Sequence, residues 1–131
     1  MPPIVDALDH LVLTVADVPR SLAFYQRVLG LKPVEFKPGR HALHFGDQKI
    51  NLHQAGVVVD PNVRHATPGS ADLCFRTRMP LTEWVAHLAE QGVTVIQGPV
   101  KATGARQTLS SIYFYDPDEN LIEVANEVES P

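Results

Sequence analysis

Residues 7–30 read ALDHLVLTVADVPRSLAFYQRVLG. Leu11, Leu13 and Val15 alternate with His10, Val12 and Thr14, the period of a strand with one face buried. Asp17 then offers a capping oxygen, and Pro19 fits a first helical turn. A helix is expected over 18–29, with Val18, Leu22, Tyr25 and Leu29 on one side and Gly30 as its left-handed stop.

Working outward, three short strands are expected at 33–36, 42–45 and 49–54, separated by Lys37-Pro38-Gly39 and Gly46-Asp47 turns. A breaker-rich loop follows over 55–69. The order then repeats: a strand at 71–77, and a helix at 81–91 with Leu81, Trp84, Val85 and Leu88 apolar and Gly92 as its stop. A strand at 94–96, a loop at 98–110 and paired strands at 111–115 and 121–126 complete it. His10 and Asp72 stand 62 positions apart, and so do Gly30 and Gly92. Phe45 to Phe114 is 69 and Asn51 to Glu123 is 72, the growth being assigned to the 98–110 loop and the last turn, where insertions are cheap. The expectation is an α+β chain of two βαβββ modules, 6–57 and 68–127, forming one domain whose curved mixed sheets surround a cavity. The tail from 127 is expected to fray.

Composition narrows the function classes. At 131 residues and 44% apolar, the chain can bury a core. A net charge of −4 without a basic stripe speaks against nucleic acid. No apolar run reaches membrane-spanning length, and the first residues lack a secretory pattern. The single cysteine, Cys74, excludes an intrachain disulfide and a cysteine-rich zinc site. A cytoplasmic protein is expected.

Parity sorts the strand residues. If the apolar set of each strand packs on its helix, the opposite faces carry His10, His44, Asn51, His53, Asp72, Cys74, Ser111, Tyr113 and Glu123. Polar residues belong on a wet sheet face in any case. Imidazoles and carboxylates recurring at equivalent places of a repeat are also metal-ligand and acid-base material. Cys74 is read as a small buried hydrophobe. Asp116 and Asp118 are read as turn residues capping their own backbone. His41, His65 and His87 are read as surface residues. Lys101, Gly104 and Arg106 are placed in a solvated loop that could close over an anionic substrate.

Leu8-Asp9-His10-Leu11-Val12-Leu13, Asp17-Val18, Ser21-Leu22-Ala23-Phe24-Tyr25 and Val28-Leu29-Gly30-Leu31 resemble the opening of a glyoxalase-type module. Tyr113 to Val124 (YFYDPDENLIEV) resembles its close, with Glu119 where the family usually has Gly. Lys49-Ile50-Asn51-Leu52-His53 and Gly69-Ser70-Ala71-Asp72-Leu73-Cys74-Phe75 are similar to glyoxalase domain-containing proteins described as virulence-associated. The resemblance to this vicinal-oxygen-chelate family spans nearly the whole chain.

That resemblance implies a divalent ion, Mn, Fe, Ni or Zn, acting as a Lewis acid on a small oxygenated substrate in a lyase, isomerase, transferase or dioxygenase reaction. It puts His10 and Glu123 at metal-ligand positions, with Asp72 where the family usually offers His. Asn51 stands where glyoxalase I has Glu, which argues against lactoylglutathione lyase chemistry because an amide is a poor base. His53 could replace Asn51 as a ligand or serve as a catalytic base. Tyr113 is a catalytic candidate, and Ser111, Asn51 and His44 are substrate-binding candidates. A homodimer is implied. The alternative is a metal-free dimer of the bleomycin-resistance type that sequesters a small molecule. The lone Trp84, expected on a helix, weakens that alternative.

Overall fold

The computed structural model describes residues 2–128 and contains two compact units that divide between Thr67 and Pro68. Each unit is a βαβββ module. The first holds β1 (His10–Val15), α1 (Val18–Leu29), β2 (Lys32–Lys37), β3 (Arg40–Phe45) and β4 (Gln48–Gln54). The second holds β5 (Asp72–Arg76), α2 (Leu81–Glu90), β6 (Gln97–Thr103), β7 (Thr108–Tyr115) and β8 (Leu121–Val128). The sheet orders match: β1-β4-β3-β2 and β5-β8-β7-β6. In each, the first strand runs parallel to the last and the other pairs are antiparallel. The architecture is the expected α+β duplication.

Local chemistry explains the helices. The Asp17 side chain accepts from Arg20 N at 3.0 Å, and Gly30 closes α1 at φ 69°. Gly92 takes the same left-handed turn after α2, at φ 72°. Its amide donates to Ala89 O and that of Val93 to Leu88 O, so two late carbonyls are satisfied. A further equivalence lies at the other helix ends. The Gln54 side chain, at the end of β4, accepts from Val18 N and donates to Ala16 O. Asn126, 72 positions on, accepts from Leu81 N and donates to Thr77 O and Met79 O. In both modules the last strand therefore supplies a side chain to the helix start.

The buried side of α1 is Val18, Ser21, Phe24, Tyr25 and Val28, turned slightly from the expected stripe; Leu22 and Leu29 are half-buried. On α2, Leu81, Trp84 and Leu88 are buried, but Val85 is exposed. Fully buried Leu43, Ile50, Ile112, Phe114, Ile122 and Val124 supply the helix-facing side of the sheets.

The ladders correct one alignment of the repeat. Leu43 pairs with Ile50, and Phe114 pairs with Ile122. Leu43, not Phe45, is therefore the counterpart of Phe114. The Asn51–Glu123 equivalence agrees with the register, because Val12 pairs with Asn51 and Cys74 with Glu123.

A larger correction concerns β6. Residues 94–96 are not a strand, and the expected long loop is mostly strand: β6 and β7 form a hairpin with only residues 104–107 between them. Gly98-Pro99 and a register shift between Gln97 and Val100 interrupt the alternation that would reveal β6. Gly98 has φ 108°, and a Cβ there would strike Ser111 O, so only glycine fits. Lys101 is consequently a strand residue opposite Ser110. At the sequence end, Glu127 and Val128 belong to β8 rather than a frayed tail; residues 129–131 lie outside the described part.

The last turn is side-chain built. Asp116 Oδ1 accepts from the Asp118 and Asn120 amides, both at 2.9 Å, and its Oδ2 accepts from Asn120 Nδ2. Asn120 Oδ1 in turn accepts from Ala71 N. Glu119 sits at φ 67°, the left-handed position where the family pattern has glycine.

Candidate functional site

On module one, residues paired across the ladder share a face. His10, Lys49 and His44 form one row, and Val12, Asn51 and Ala42 the next. His53 pairs with Thr14 beyond them. All stand opposite the helix-facing Leu11, Leu13, Leu43, Ile50 and Leu52, as parity requires. His10 Nδ1 lies 2.7 Å from Asp9 Oδ1. This bond to His10, reinforced by its charge and by Lys49, holds the Asp9 carboxyl below its ordinary value. In the neutral tautomer that donates Nδ1–H to Asp9, the lone pair sits on Nε2. Asn51 and His53 are each only 8% exposed, yet Asn51 Oδ1 and His53 Nδ1 have no hydrogen-bond partner. His44 is exposed, and the row continues through it to Lys32 on β2.

On module two, Cys74, Glu123 and Tyr113 form one row, flanked by Asp72, Leu121 and Tyr115. Fully buried Ser111 donates its hydroxyl to Glu123 Oε2 at 2.6 Å. Cys74 is exposed, not buried as expected, because β5 is an edge strand whose residues alternate between half-buried and exposed. Desolvation against the sheet and the Glu123 carboxylate push its thiol up to about 11. Desolvation, then Glu123, also raises the Tyr113 phenol.

Of the remaining candidates, Arg106 is not a free loop cation. It makes a two-pronged pair with Glu127 at 2.6 and 2.8 Å, with Arg76 Nε 3.7 Å from the same carboxylate. His41 is half-buried beside Glu35, and half-buried His87 stacks edge-on with Trp84, so of the three histidines expected at the surface His65 alone is plainly exposed. Two residues escaped sequence reasoning. Asp9 adjoins His10, and a carboxylate next to a candidate ligand was the available signal. Arg40 follows a turn, and starting β3 two residues earlier would have put it on the same face as His44.

Among the described residues, no three His, Cys, Asp or Glu side chains gather to hold a metal ion. No described helix is long and apolar enough to cross a membrane.

This duplicated fold and these motif residues define a glyoxalase-class protein. The chain belongs to the Glyoxalase/Bleomycin resistance protein/Dioxygenase superfamily, which it matches over residues 7–124. It is 49% identical over 125 residues to virulence protein STM3117 of Salmonella typhimurium, covering 95% of this chain and 87% of that one. It is 48% identical over 122 residues to glyoxalase domain-containing protein RDO1 of Mycosarcoma maydis, covering 93% and 69%. Integron cassette protein VCH_CASS1, from the mobile metagenome of V. cholerae, shares the structure with a TM-score of 0.94 at 52% identity, covering 96% and 98%.

Proposed function

We propose that the chain is a divalent-metal-dependent enzyme acting on a small oxygenated substrate, and that it works as a homodimer in the cytoplasm. His10 and Glu123 are the metal ligands in this reading, with Asp72 or His53 completing the set. The supporting observation is that each principal ligand is restrained by a second residue, Asp9 on His10 and Ser111 on Glu123. Metal ligands are characteristically oriented this way. The donor types suit such an ion: His10 offers an imidazole nitrogen and Glu123 a carboxylate. Asp72 favours Mn or Fe over a nitrogen-rich zinc site.

When bound, the ion would supply Lewis-acid stabilisation of an oxyanion on the substrate. Tyr113, its phenol protonated at neutral pH, donates a hydrogen bond to the substrate in this reading. Ser111 reaches the chemistry through Glu123. Asn51 and His44 contact substrate, and His53 serves as base where Asp72 is the third ligand. The amide at Asn51 argues against lactoylglutathione lyase chemistry.

Metal content after stripping and reloading with Mn²⁺, Fe²⁺, Ni²⁺ or Zn²⁺, read by plasma mass spectrometry, tests the reading. About one ion per chain is expected in the wild type, with near-complete loss in His10→Ala and Glu123→Ala. Asp9→Asn should weaken metal affinity by roughly 10-fold or more. The third ligand is whichever of Asp72→Ala and His53→Ala also loses the ion. Retention of no ion under any loading condition sinks the proposal.

A further inference from the structure

Four buried polar atoms of module one lack hydrogen-bond partners: Ser21 Oγ on α1, and Arg40 Nε, Asn51 Oδ1 and His53 Nδ1 on the sheet. The three on the sheet share one face. Ala42 pairs with Asn51 and His41 with Leu52, so Arg40 stands one step further along β3, level with His53. Leaving such an atom buried and unpaired costs its full desolvation. Three on one face point to something that binds there.

Charge decides what it is. Lys49 Nζ lies 4.3 Å from the Phe36 ring centroid and Arg40 Cζ lies 5.5 Å from it. Two cations thus gather on one ring, on a face that also carries His10 and His44. The nearby carboxylates are committed: Asp9 to His10 and Lys49, Glu35 to His41. Among the described residues no carboxylate pairs with Arg40. An anion between Arg40 and Lys49 would relieve their repulsion, and a guanidinium oriented by an aromatic face is suited to grip two oxygens. Asn51 Oδ1 is an acceptor, so it would repel the anion itself and takes a hydrogen from a neighbouring ligand group.

We propose that this face of module one is an oxyanion subsite. Arg40 and Lys49 bind a carboxylate or phosphate group of a small ligand, while Asn51 accepts from a hydroxyl close to it and His53 bonds a further polar atom. The inference rests on the enzyme reading in taking that ligand to be the substrate, whose class becomes an oxyanion bearing an adjacent hydroxyl.

The test is calorimetric titration of the full chain, with and without EDTA, using glycolate and inorganic phosphate as probes at constant ionic strength against chloride. Binding of either anion with EDTA present, weakened at least 10-fold in Arg40→Met and partly regained in Arg40→Lys, is expected. Lys49→Met should weaken it by a smaller factor, and the tighter anion identifies the group. Acetate should bind more weakly than glycolate, and Asn51→Leu should erase that difference. No binding above chloride, or equal binding by wild type and Arg40→Met, overturns the subsite. Circular dichroism of each variant separates lost binding from lost folding. Anion binding intact in a wild type that holds no metal would sink the metal reading alone; metal retention without anion binding would sink the subsite alone.

Discussion

The two modules share topology, register and even the side chain that closes each helix start, yet their helix-free faces carry opposite chemistry. At equivalent positions of the repeat module one has His10, Arg40, His44 and Asn51 where module two has Asp72, Ser111, Tyr115 and Glu123. Module one is cationic and holds buried polar atoms without partners. Module two is acidic, and its central carboxylate is already supplied with a donor. The modules share backbone and core but differ on the alternate parity, because residues on that face contribute little to the packing under each helix.

If the core is truly shared, the deepest substitutions should behave alike. Phe114→Ala should destabilise the chain by about 3–5 kcal/mol and Leu43→Ala by about 2–5 kcal/mol, read by urea unfolding. A mild effect of Leu43→Ala beside a severe one of Phe45→Ala would break the alignment of the repeat.

The helix starts differ between the modules. α1 has two side chains at its start, Asp17 and Gln54, whereas Pro80 gives α2 no side-chain cap and leaves Asn126 to serve it. Asn126→Ala should therefore cost about 2 kcal/mol, and Gln54→Ala about 1 kcal/mol or less, in the same measurement.

The third test probes the acidic face. A Cys74 thiol near 11 stays protonated at pH 8, so iodoacetamide should modify it roughly 10-fold or more slowly than an unstructured thiol. Glu123→Gln removes a raising charge and should speed the reaction. An unchanged rate would show that the two groups do not interact.

The smallest effect belongs to Glu127. Arg106, hydrogen-bonded to it, lowers its folded-state pKa. A depressed carboxyl stabilises above its unfolded value and loses that contribution as pH falls through the folded one. Arg106→Gln should leave the chain slightly less stable at pH 7 and make the gap vanish towards pH 3, as read by thermal melts.

Much of this was legible in the sequence. Parity within strands found His10, Asn51, His53 and Glu123 on the predicted sides, because each lies in a strand whose neighbours are strongly apolar. It failed where the apolar signal is thin. β6 is Gln-Gly-Pro-Val-Lys-Ala-Thr, mostly exposed, and its pairing with β7 is a long-range fact. Cys74 was misjudged because hydrophobicity does not report that β5 is an edge. Arg40 Nε, buried without a partner, depends on neighbours in space that no spacing rule names.

The Asp116–Asn120 turn works as a phase pin for β8. Side chains alternate, so a slip of one residue after Asn120 would rotate Glu123 towards the helix and present Ile122 and Val124 in its place. The carboxylate of Asp116, bonded three times, holds that count. The chemical character of a whole sheet face therefore hangs on the number of residues in a five-residue corner, and inserting one there should silence Glu123 while leaving its codon untouched.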